Sequence, residues 1–236
     1  MKTRLRLMMF VLSLFVLLAV ACDSVTVPPP EDATAERKTV SGQEIAVEGQ
    51  ISLDRNYYLV SDGSDSMNAR DCKGDKESNI AASKWATKEF ATKSVPTDVG
   101  LGLYVFDASG ASERVPIGKN NREAILRAID EIRANGGTPL NSSIAKGVDA
   151  LRVQREKQLG YGSFVLIVVT DGQADTESGV AYAERYQIPI VTIGFCLNNT
   201  HPLAVHSLSY RDANSPEQLL GAFQEVLAES DSFSTD

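Results

Sequence analysis

Six consecutive apolar residues, Phe164 to Val169, end abruptly at Thr170-Asp171-Gly172. An unbroken run of this kind suits a strand covered on both faces, as in a parallel sheet lying between two helix layers. Ile188 to Phe195 reads as a second buried strand and ends at Cys196. Strands are also expected at Tyr57–Ser61, Val99–Phe106 and, more weakly, Ser112–Ile117. Helical patterns fill the gaps. One covers Ile80 to Lys93, with Ala81, Trp85 and Phe90 inward. Another covers Asn121 to Ala134, with a stripe of Ala124, Ile125, Ala128, Ile129 and Ile132. A third begins at Pro139 and carries Ile144, Val148 and Leu151 on one face. A fourth spans Glu177 to Tyr186. The last opens at Ser215-Pro216-Glu217-Gln218, a serine cap with a capping-box glutamine, and buries Leu219, Leu220, Phe223, Val226 and Leu227. The segment from His201 to Ser209 gives no pattern. The alternation predicts a mostly parallel sheet with helices on both faces, and a binding site at the carboxyl ends of its strands.

The ends of the chain read differently. Lys2, Arg4 and Arg6 precede Leu7 to Val20, a run of 14 residues broken only by Ser13. That run is short for a membrane span and suits a signal peptide over residues 1–21. Ala19-Val20-Ala21 is a small-x-small cleavage pattern, and Cys22 follows at once. The arrangement resembles a bacterial lipoprotein signal, although Ala19 stands where leucine is usual. It implies lipidation of Cys22 and a place in the cell envelope. Asp23 favours the periplasmic face of the inner membrane, and secretion with an unmodified Cys22 is the alternative. Residues 22–50, with Pro28-Pro29-Pro30, read as a tether. Ile45-Ala46-Val47 and Ile51 are a candidate edge strand. Residues 51–229 are the expected globular domain and 230–236 a polar tail. Removing residues 1–21, which hold three basic residues and no acidic one, takes the formal charge from -8 to -11. So acidic a body argues against a nucleic-acid partner.

Three polar segments fall where the predicted site should lie. Asp62-Gly63-Ser64-Asp65-Ser66-Met67 follows the first strand and places oxygen-bearing side chains at alternate positions. Gly136-Gly137-Thr138-Pro139-Leu140 precedes a helix. Thr170-Asp171-Gly172 ends the apolar run. Carboxylates and hydroxyls are ligands for a hard cation. Each segment alone reads equally well as a turn or a helix cap.

Together, Asp-x-Ser-x-Ser, a later Thr and an Asp after a buried strand resemble the metal-ion-dependent adhesion site (MIDAS) of von Willebrand factor type A (vWA) domains. The likeness covers about residues 52–229. It implies a Rossmann-like α/β domain of three layers with one antiparallel edge strand. It implies Mg²⁺ or Mn²⁺, ligated directly by Ser64 and Ser66 and directly or through water by Thr138. Asp62 and Asp171 would act largely through water or as outer acceptors. It further implies that an Asp or Glu of a partner protein completes the cation's shell. Asp65 departs from the small residue often found there. The expectation is a membrane-tethered binding module and not an enzyme. A metal-assisted hydrolase and a metal-independent scaffold are the alternatives. Cys72 lies just after the serine loop and Cys196 at a strand end facing the same way, so a disulfide between them is expected; two separate thiols are the alternative. Asp65 and Asp71 read as solvated charges, and His201 and His206 as surface or cap residues.

Overall fold

In a computed structural model, residues 51–70, 72, 77–197 and 200–232 are described. The chain forms strands β1 (Arg55–Asp62), β2 (Gly100–Asp107), β3 (Gly110–Gly118), β4 (Ser163–Thr170), β5 (Ile190–Phe195) and β6 (Ser209–Ala213). Helices are α1 (Asn79–Glu89), α2 (Arg122–Glu131), α3 (Leu140–Lys157), α4 (Glu177–Arg185) and α5 (Pro216–Ser232).

The strands lie in the order β3-β2-β1-β4-β5-β6. All neighbours are parallel except β2 and β3, which form an antiparallel hairpin at one edge. This is the expected α/β sheet with its single antiparallel edge strand. The chain builds outward from β1 through β2 to β3, then crosses to β4 on the other side of β1. The order therefore reverses between β1 and β4, the point at which such sheets open a crevice at their carboxyl edge.

Period-two alternation divides the core. Tyr57, Leu59, Val165, Ile167 and Val169 point to one face with α1, α2 and α5. Tyr58, Val60, Phe164, Leu166 and Val168 point to the other with α3 and α4. Both faces of β1 and β4 are dry, which is why neither strand alternates in polarity.

The structure departs from the sequence expectations, or adds to them, at four places. Ala81 and Trp85 do not face inward; Trp85 is 42% exposed, and α1 buries Asn79, Ala82, Ser83, Ala86 and Thr87 instead. Ala82 and Ala86 join the core on the face of the sheet that α1 shares with α2 and α5, and Thr87 satisfies its hydroxyl on the Ser83 carbonyl at 2.8 Å. The helix then widens into a π turn, Phe90–Ser94, where Phe90 stacks on Phe223 with ring centroids 4.5 Å apart. Strand β6 gave no sequence signal because it is a polar edge strand with only Ala213 buried. The polar tail does not begin at Ser230, since α5 runs through Ser232. Ile51 is exposed and outside any strand. The signal segment, Cys22, the tether, Ile45-Ala46-Val47, Asp71 and residues 233–236 lie outside the described residues. Among the described residues no helix is long and apolar enough to cross a membrane.

The start of α5 follows the sequence closely. Ser215 Oγ accepts from the Gln218 N–H at 3.2 Å, and Gln218 Oε1 accepts from the Asn214 N–H at 2.8 Å.

Candidate metal centre

The three polar segments meet at the carboxyl edge between β1 and β4. Asp62 is the last residue of β1 and is completely buried. Its Oδ1 accepts from the Ser64 N–H at 2.8 Å, and its Oδ2 accepts from Thr170 Oγ1 at 2.5 Å. Ser61 pairs with Val169 in the sheet register, so Asp62 and Thr170 are the next residues along each strand. The turn after Asp62 brings Ser64 Oγ within 2.9 Å of Ser66 Oγ. Ser66 Oγ donates in turn to Asp171 Oδ1 at 2.6 Å.

The loop before α3 is stitched to the serine loop through the backbone. Asp65 N–H donates to the Gly136 carbonyl at 3.0 Å, and Asn135 N–H to the Gly63 carbonyl at 2.9 Å. Glycine is required at 63: a Cβ there would lie 2.8 Å from Asp107 Cβ and 2.9 Å from the Phe106 carbonyl oxygen. Thr138 arrives beside Gly172, where an added Cβ would stand 3.1 Å from Thr138 Oγ1 and 3.7 Å from Asp62 Oδ2. All five predicted site residues therefore converge.

A family model described as von Willebrand factor type A domain matches residues 57–173, a span that contains all three segments. The chain carries a vWA domain.

Solved structures extend the likeness past residue 173. The pilus adhesin SpaC from Lactobacillus rhamnosus GG is 16% identical, with a TM-score of 0.60 over 78% of this chain and 31% of that one. A von Willebrand factor type A structure from Catenulispora acidiphila is 20% identical, with a TM-score of 0.58 over 76% of this chain and 43% of that one. Proximal thread matrix protein 1 of the mussel byssus is 19% identical, with a TM-score of 0.57 over 77% of this chain and 47% of that one. The chain thus spans less than half the length of each. At these identities they share its fold. No curated protein matches the sequence.

The vWA site fits a small hard cation by its donor set. Octahedral Mg²⁺ with ligands at about 2.1 Å has neighbouring oxygens about 3.0 Å apart. The Ser64–Ser66 oxygen pair, at 2.9 Å, already has that spacing, and Ser66–Asp171 is slightly tighter at 2.6 Å. Among the described residues no group of three or more His, Cys, Asp or Glu side chains is arranged to hold a metal. A cation placed here would meet the hydroxyl oxygens of Ser64 and Ser66 beside the Asp171 carboxylate. Burial pushes the Asp62 carboxyl above its ordinary range, opposed by hydrogen bonds from Ser64 and Thr170. Both Asp62 oxygens are engaged inside the protein, which suits an outer acceptor better than a direct ligand.

Four supporting residues escaped the sequence reading. Thr170 was visible as the neighbour of Asp171, and strand register would have paired it with Asp62. Gly63 was visible only as a turn former. Asn79 donates from Nδ2 to Asp171 Oδ2 at 3.3 Å, and nothing in the sequence links positions 79 and 171. His201 is 1% exposed, a cap residue as expected but not a surface one. Its Nδ1 accepts from the Leu203 N–H at 3.0 Å, so Nε2 carries the proton and donates to the Gly172 carbonyl at 2.9 Å. Burial holds the imidazole below its ordinary pKa, partly offset by the Gly172 carbonyl. His206 is exposed, 3.8 Å from Glu184. Asp65 is exposed at the rim, as expected of a solvated charge.

Cys72 and Cys196 are joined as a disulfide, with Cα atoms 4.9 Å apart. It ties the segment following the serine loop to the end of β5.

Proposed function

We propose that this vWA domain is a divalent-cation-dependent protein-binding module, tethered to the bacterial cell envelope through Cys22. Ser64, Ser66 and Thr138 would hold Mg²⁺ or Mn²⁺, with Asp62 and Asp171 as outer acceptors. The observation that carries this reading is the continuous set of hydroxyls and carboxylate from Ser64 through Ser66 to Asp171, backed by a sequestered Asp62. Hydroxyl ligands are neutral, so the cation supplies an under-neutralised positive charge that can accept a partner's carboxylate. The chain's own residues prepare that contact. Ser66 is exposed, Ser64 and Asp62 are buried beneath it, and the Gly136–Asp65 and Gly63–Asn135 backbone bonds fix the rim. The partner is a protein that presents Asp or Glu on its surface. The fold shared with a pilus adhesin supports a binding role.

The proposal also places the protein at the periplasmic face of the inner membrane, from its lipoprotein-like N-terminus and Asp23. Incorporation of labelled fatty acid should be lost in Cys22→Ser.

The test of binding is capture from an envelope extract by the detergent-solubilised chain. Partners should bind with Mg²⁺ and be lost with chelator and in Ser66→Ala. Capture that survives both changes would mean that another surface is used.

A further inference from the structure

Asp171 is held by both of its carboxylate oxygens. Ser66 Oγ donates to Oδ1 at 2.6 Å, and the Asn79 side-chain amide donates to Oδ2 at 3.3 Å. A carboxylate only accepts, so the nitrogen end of the amide must face Asp171. The other end, Asn79 Oδ1, then lies 3.3 Å from Cys72 Sγ at the disulfide. The Asn79 backbone N–H donates to the Ala69 carbonyl at 2.8 Å, closing the segment that began at Ser64. Residue 79 thus joins the end of the serine loop, the Cys72–Cys196 bridge and the carboxylate of the β4 segment. It is the first residue of α1 and only 1% exposed. A polar side chain taken so completely out of water is costly unless its polar atoms are used.

We propose that Asn79 is a positioning residue for the cation site, an inference that rests on the metal-binding reading above. Asn79 fixes the plane of the Asp171 carboxylate and keeps Oδ1 directed at Ser66. Without it Asp171 Oδ2 loses that donor, and the terminal torsion of the carboxylate, which lies in a broad, two-fold well, is held less firmly. The disulfide braces the amide from behind. Outer partners of this kind typically change metal affinity by about 10–100-fold when removed.

The test is a calorimetric Mg²⁺ titration of the detergent-solubilised full chain, with the disulfide intact, comparing wild type with Asn79→Ala and Asn79→Leu. Leucine is close to asparagine in size and has no amide. Both variants should bind at least about tenfold more weakly. A space-filling role predicts wild-type affinity for Asn79→Leu, and that result overturns the inference alone. Failure of the wild type to take up Mg²⁺ overturns the metal-binding reading as well. A second readout needs no metal and no Asn79 variant. In the cation-free protein the Asn79 side-chain amide resonances should move on Asp171→Ala; unmoved resonances overturn the inference.

Discussion

Replacing both Cys72 and Cys196 by alanine opens a loop closed across 124 positions of sequence. The chain-entropy account of disulfides gives a loss of about 2.1 + 1.5R ln n cal/mol/K. For n of 124 this is about 16.5 cal/mol/K, or about 4.9 kcal/mol at 25 °C. A domain of this size loses about 2–4 °C of melting temperature per kcal/mol, so the double variant should melt about 10–20 °C below the oxidised protein. Cys196 has φ of 53°, but cysteine and alanine both carry a Cβ, so the backbone contribution cancels between the two proteins. Melting followed by circular dichroism would measure the shift, with wild type reduced by excess dithiol as the matching sample. Both should fall together. A double variant within about 4 °C of oxidised wild type, corresponding to less than about 2 kcal/mol, would refute the reasoning. It would show that the two loop ends are held together without the bond.

Thr170→Val keeps the shape of the side chain but removes the hydroxyl that donates to buried Asp62 and accepts from Gly172. Loss of a hydrogen bond to a charged group costs about 1.5–3 kcal/mol, so urea denaturation should report that loss and an unchanged stability would contradict it. His201 gives a pH dependence. Burial holds its folded-state pKa below the ordinary value, so its contribution is complete above pH about 6.5 and is lost as pH falls from there through the lowered value. Wild type should therefore lose more stability than His201→Gln between pH 7 and pH 5; parallel profiles would show that the imidazole does not titrate against folding.

Much of the fold was legible in the sequence because its signals were local. The apolar run of β4 declared a strand buried on both faces. Ser215, Pro216 and Gln218 marked the start of α5 before any packing was known. Where signals became non-local, legibility failed. β6 earns its place by pairing with β5, Val191 opposite Ser209, and its polar residues show no period of their own. Trp85 looked like a core residue by type, yet α1 turns Ala82 and Ala86 into the core and leaves Trp85 on its exposed side. The candidate site divided in the same way. Asp62, Ser64, Ser66, Thr138 and Asp171 lie in compact segments with recognisable spacing, and the structure brings them together. Asn79 and Thr170 act on Asp171 and Asp62, and His201 on the neighbouring Gly172 carbonyl, through hydrogen bonds that only the folded chain creates.

The central claim is that Ser64 and Ser66 hold a divalent cation. Titrating Mg²⁺ into metal-free wild type and Ser64→Ala, with heat as the readout, tests it most directly. The account predicts saturable binding of one cation by the wild type and none by Ser64→Ala. Equal binding by the two proteins would contradict it.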